Sequence, residues 1–293
     1  MESKVGLSEA AAASLMPVQP PGAAVAIPVP AGAPARSPKF WLCAGTLWLR
    51  ELRGFYRQRS RIIGSLSTPV LFWFVLGSGF GSSLLPQDGG YARFFFPGTV
   101  VLGVLFTSIF ANISLIEDRR EGFLLGVLVA PVSRLSLVLG KVMGSTTLGA
   151  LQGGLLLPLA PLAGLSIDLS TLPAVVGVLF LTALGLTALG FCSAWWLDSV
   201  QGFHSVMNLL LMPMWLMSGG VFPMDGSSAW VRWVTAANPL AYGVAELRRL
   251  LGAPVPAGSP SQVTCWLVLA GFGGAMLAAA WYRASRTKAA HLS

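Results

Sequence analysis

Six stretches of the chain stay apolar long enough to cross about 30 Å of hydrocarbon, which takes around 20 helical residues. They fall near 62–81, 94–116, 142–164, 172–197, 203–222 and 263–282. No Asp, Glu, Lys or Arg stands in the central part of any of them. His204, at the edge of the fifth, is the one ionisable residue close to an interior. Backbone inside hydrocarbon must satisfy its own hydrogen bonds, so the pattern predicts spanning α-helices and an all-α polytopic membrane protein.

The connecting segments carry structure of their own. From Trp41 to Arg59 the residues Trp41, Trp48, Leu52 and Phe55 share one helical face, and Arg50, Arg53 and Arg57 the opposite one. This predicts an amphipathic helix over 38–61 lying along the inner leaflet before the first span. The loop from Glu117 to Lys141 opens with Glu117-Asp118-Arg119-Arg120-Glu121-Gly122 and continues into an apolar patch, Phe123 to Val129. The spacing predicts a short helix with one wet and one greasy face, ended by Pro131, with Ser133 capping the next helix. Between the fifth and sixth spans, Pro223 to Ser261 is moderately apolar but broken by Pro223, Pro239 and Pro254. Two short helices dipping into the outer leaflet fit that pattern, with Asn238 as cap of the second and Pro239 at its first position.

Composition agrees. The chain is 54% apolar and 10% charged, where a soluble protein is about a quarter charged. The net charge of +8 does not indicate nucleic acid, because the cations cluster beside apolar runs, where they set membrane orientation. With six spans and a cytoplasmic N-terminus, fifteen Lys and Arg lie inside against four outside. A five-span chain would put Arg283, Arg286 and Lys288 outside, against the rule. Both termini are therefore expected in the cytoplasm. Residues 1–37 are Ala-, Pro- and Gly-rich and read as a disordered tail. The expected organisation is that tail, the interfacial helix, a six-helix transmembrane domain over 62–285 and a short cytoplasmic tail over 286–293. Cys43, Cys192 and Cys265 have no metal or disulfide spacing, and no metal site is expected.

Catalytic signatures are missing. Gly140-Lys141-Val142 lacks the upstream glycine and the hydroxyl of a phosphate loop, so no nucleotide cofactor is expected on this chain, and it does not read as an enzyme. No charged residue stands in a span to run a proton- or ion-coupled carrier, although such a secondary transporter and a non-transporting scaffold remain the alternatives. Polar residues such as Thr107, Ser108 and Asn112 accompany Phe106, Phe110, Met207 and Met214 in the spans. An adaptable lining of this kind suits an amphiphilic cargo.

The combination resembles the membrane subunits of type 2 ATP-binding-cassette (ABC) exporters. It rests on a basic amphipathic helix before the first span, a charged helical loop after the second and a broken apolar segment before the sixth. The local matches are E-D-R-R-E-G-F-L from Glu117, A-P-V-S-R from Ala130 and N-P-L-A-Y from Asn238. They are similar to those of daunorubicin-exporter and nodulation-type permeases, over roughly residues 40–285. The resemblance implies a bacterial plasma-membrane permease, paired with a second copy and surrounded by lipid, with ATP bound by a separate ATPase subunit. It implies that Glu117, Asp118, Arg119, Arg120, Glu121 and Gly122 couple to that ATPase, with Arg50, Arg53 and Arg57 as a second contact. It further implies a cargo path near Phe110, Asn112, Met207 and Met214, and an outer gate including Asn238, Pro239 and Tyr242.

Overall fold

A computed structural model describes residues 40–57, 59–81, 90–129, 132–223 and 227–286. The predicted tail over 1–37 lies outside the described residues, as do Pro131 and the last seven positions. Every regular element among the described residues is helical: α1 Phe40–Arg57, α2 Arg59–Phe80, α3 Tyr91–Phe110, α4 Ile113–Arg120, α5 Phe123–Val129, α6 Arg134–Leu156, α7 Leu172–Ala194, α8 Val200–Leu216, α9 Ala229–Ala237, α10 Pro239–Leu250 and α11 Gln262–Arg286. A 3-10 stretch, Leu157–Ala163, extends α6.

Five segments are long and apolar enough to span: Ile62–Phe80, Tyr91–Arg120, Arg134–Ala163, Leu172–Ala194 and Gln262–Arg286. The expected fifth span is α8, which has 17 residues. At 1.5 Å per residue it reaches about 25 Å, a little less than a hydrocarbon core.

α3 is the axis of the bundle. Nearly all its side chains are buried, because α2, α6, α7, α8 and α10 all pack on it. Small residues set the closest approaches. A β-carbon on Gly98 would stand 2.7 Å from the Gly220 backbone, and one on Gly149 only 2.1 Å from the Ser108 hydroxyl. Such backbone contact is how helices gain packing energy where lipid supplies no hydrophobic drive.

α1 packs along α6 with Ala44, Leu47 and Glu51 buried. Gly140 and Gly144, one turn apart on α6, leave the space: a β-carbon at Gly140 would meet the Ala44 carbonyl and Leu47 at 2.7 Å. The predicted helix is present, and the side it packs on α6 lies between the aromatic stripe and the arginine face. Trp41 is 78% exposed, and the buried face is rotated roughly 80° from the stripe, at 100° per residue. A carboxylate, Glu51, sits on the buried side because it has a partner there.

Two cations depart from expectation in the same way. Lys141 lies two turns inside α6 at 2% exposure, so a spanning helix does contain a buried charge. Arg248, counted among the outer-loop cations, is 3% exposed on α10, which packs against α3, α7 and α11. The predicted caps are formed. Ser133 accepts from the Ser136 amide at the start of α6. Asn238 accepts from the Leu240 amide at the start of α10, with Pro239 at the first helical position.

Candidate functional site

α4 continues the line of α3 after a turn at Ala111-Asn112 and ends at Arg120. Four charges from three helices meet beside it. Lys141 Nζ lies 2.7 Å from Glu51 Oε1 and 2.5 Å from Asp118 Oδ2. Arg50 grips the same Asp118 with two nitrogens, one of them 2.9 Å from Oδ2. Ser114 donates to Glu51 Oε2 at 2.9 Å and stands 3.3 Å from Lys141 Nζ. Two cations and two carboxylates balance, which is the condition for keeping charge out of water. The hydrogen bond to Asp118 raises the Arg50 pKa above its ordinary value, with the charges of Asp118, Glu51 and Glu121 adding to it. Arg50 also lies over the Phe123 ring at 3.8 Å, joining α5 to the cluster.

The next two arginines turn the other way. Arg119 donates to the Ala194 and Trp195 carbonyls at 3.1 and 2.8 Å and pairs with Asp198 at 2.7 Å. It thereby satisfies carbonyls left open at the C-terminal end of α7. Arg120 donates twice to the Asp198 carbonyl. α4 is thus fastened to α1, to α6 and to the corner between α7 and α8.

Of the nine residues expected to couple to an ATPase, Asp118 is buried and Arg50 and Arg119 spend their donors inside the protein. Glu117, Arg120, Glu121, Gly122, Arg53 and Arg57 remain exposed. Lys141 and Glu51 belong to the cluster and were not singled out from sequence.

A cleft of about 540 Å³ opens between α2, α3 and α8, with Phe55 of α1 at its rim. Phe106 and Phe110 stack at 5.7 Å along one wall, and the His204 ring lies 4.6 Å from Phe110. Thr107, Ser65 and Thr68 add hydroxyls. Of the four residues expected on a cargo path, Phe110 lines this cleft. Met207 is buried behind it. Asn112 faces α7, where its amide donates to the Ser108, Ile109 and Thr187 carbonyls. Met214 lies further along α8, its carbonyl accepting from Asn238 at 2.5 Å.

That last bond belongs to the opposite end of the bundle. Tyr91, the first residue of α3, donates to the Val221 carbonyl at 2.8 Å. Tyr242 on α10 donates to the Ala236 carbonyl of α9 at 2.7 Å. Asn238, Pro239 and Tyr242 therefore join the end of α8 to α9 and α10, at the far end of α3 from the charged cluster.

A family model described as "ABC-2 type transporter" matches residues 44–251. Nodulation protein J of Neorhizobium galegae is 30% identical over 219 residues, covering 72% of this chain and 82% of that protein. Nodulation protein J of Rhizobium leguminosarum bv. viciae is 27% identical over 220 residues, covering 73% and 83%. A "Probable doxorubicin resistance ABC transporter permease protein" of Mycobacterium tuberculosis is 25% identical over 216 residues, covering 70% and 76%.

Proposed function

The chain belongs to the ABC-2 type transporter family and is a multi-pass membrane component of an ABC transporter, and on that premise we propose that it exports an amphiphilic cargo using ATP hydrolysed by a separate subunit. The observation that carries the reading is the fastening of α4 to three other elements by charged bonds. A push on the exposed residues around Glu117, Glu121 and Gly122 reaches α1, α6 and the α7–α8 corner at once. In this reading those residues receive the ATPase, and exposed Arg53, Arg57 and Arg120 flank the contact. Asp118, Arg119 and Arg50 pass the motion inward.

ATP binding draws two ATPase subunits together, the permeases tilt as rigid bodies, and the cleft between α2, α3 and α8 changes from inward to outward access. Phe106, Phe110 and His204 then meet the cargo. Asn238, Pro239 and Tyr242 close the outer side. A second copy of the chain completes the path, seated in this reading on Leu71, Phe74, Val206 and Leu209, which α2 and α8 leave uncovered. The doxorubicin resistance in the name of one relative favours an amphiphilic drug-like cargo, with a lipid or oligosaccharide as the other candidate. In this reading the membrane is the bacterial plasma membrane, and the distribution of Lys and Arg supports both termini on its cytoplasmic side.

The test is Glu121→Arg in the complex reconstituted with its ATPase. Cargo-stimulated ATP hydrolysis falls several-fold while membrane insertion is unchanged. Full stimulation in the variant would refute the docking role.

A further inference from the structure

The Asn238 end of the bundle holds a cavity of about 400 Å³ bounded by α9, α10 and the 256–260 segment. Its described lining contains two arginines, Arg232 and Arg248, the hydroxyl residues Ser218, Thr235, Tyr242 and Ser259, and no Asp or Glu. Arg232 is exposed, whereas Arg248 is almost fully buried.

Adjacent arginines on α10 are treated differently. Arg249 pairs with Glu246 and donates to the Pro260 carbonyl at 2.7 Å. Arg248 meets only neutral groups: the Phe94 and Gly219 carbonyls at 3.2 and 3.0 Å and the Phe94 ring at 4.1 Å. Its Nε is buried without an acceptor, and among the described residues no carboxylate pairs with it. A guanidinium withdrawn from water needs a counter-charge. Its Nη2 gives both hydrogens to those carbonyls, so the charge and the remaining Nη1 donors suit one oxygen of an oxyanion.

We propose that this cavity is a binding site for a phosphate-type oxyanion, held by Arg248 from within and Arg232 at the mouth. Two sources present that chemistry: the headgroup of an anionic phospholipid and a free or cargo-borne phosphate. The site is separate from the α2–α3–α8 cleft and does not depend on the direction of transport.

The experiment is native mass spectrometry of the detergent-purified full chain, incubated in turn with short-chain phosphatidylglycerol, short-chain phosphatidylcholine and inorganic phosphate. The expected result is retention of phosphatidylglycerol about tenfold above phosphatidylcholine. Arg232→Ala and Arg248→Lys each weaken it at least threefold. Retention of inorganic phosphate with the same dependence on the arginines, and no preference for phosphatidylglycerol, supports the site and assigns it to a free or cargo-borne anion. Equal retention of both lipids with no phosphate bound, or binding unchanged in the variants, overturns the proposal. If Arg248→Lys does not yield folded protein, Arg232→Ala decides alone, because Arg232 is exposed and its removal leaves the packing intact.

Discussion

Replacing Lys141 with Met keeps the length and volume of the side chain and removes its charge. In the native cluster Nζ serves Glu51 and Asp118 together. After the change Asp118 keeps its two bonds from Arg50, but Glu51 keeps only the Ser114 hydroxyl. One carboxylate at 8% exposure is then left without a cation. Breaking a buried pair in this way costs about 3–5 kcal/mol, and the surviving Arg50 contact puts the loss near the lower figure. At about 2–4 °C per kcal/mol for a chain of this size, melting falls by roughly 6–12 °C. The assay heats purified protein in detergent and follows the monodisperse peak by size-exclusion chromatography. Glu51→Gln added to Lys141→Met removes the stranded charge. A coupling of about 1–3 kcal/mol between touching groups then returns roughly 2–12 °C. A single variant melting within about 2 °C of the parent, or a double variant no better than the single, would refute the charge balance described for the cluster.

Two further changes probe the helix contacts. Gly140→Leu drives side-chain atoms into the Ala44 carbonyl and Leu47; overpacking of this kind costs about 1–3 kcal/mol, and limited proteolysis within α1 is expected to quicken. Asn112→Ala removes the bond that ties α3 to the Thr187 carbonyl of α7, which keeps its own helical partner, so the loss is about 0.5–1.5 kcal/mol. Its thermal midpoint falls while the range of cargoes that stimulate hydrolysis by the assembled transporter stays the same.

What the sequence discloses and what it hides divide along one physical line. Apolar run length and cap chemistry are local, so α3, α6, α7 and α11, the Ser133 cap and the Asn238-Pro239 start of α10 were all readable from composition and spacing. α8 was readable as an apolar helix, but its 17 residues fall short of a full span because Ser199 caps it late and a turn at Met217 ends it. Pairing across the chain is not local. Glu51 and Lys141 are 90 positions apart, and each scores as a surface residue until the other is placed beside it. The same blindness hid which residues of α1 pack on α6. It also made Arg248 pass for a loop cation. Glycines at 140 and 144 were the available clue, since small residues one turn apart on a polar-ended helix mark a close neighbour.

Asn112 illustrates a related gap. A lone amide in an apolar run reads equally as lining or as glue. Only the carbonyl of Thr187, reached across a gap that Gly190 keeps open, decides for glue.

The enclosure of α10 imposes an order on biogenesis. Two of its walls, α3 and α7, leave the ribosome before it, and the third, α11, leaves after it. Until α11 arrives, Glu246 lacks the Trp266 indole that donates to it. A nascent chain stopped short of Gln262 therefore carries a half-clothed charged helix at the bilayer edge. α11, inserted later, is the segment that locks it in place.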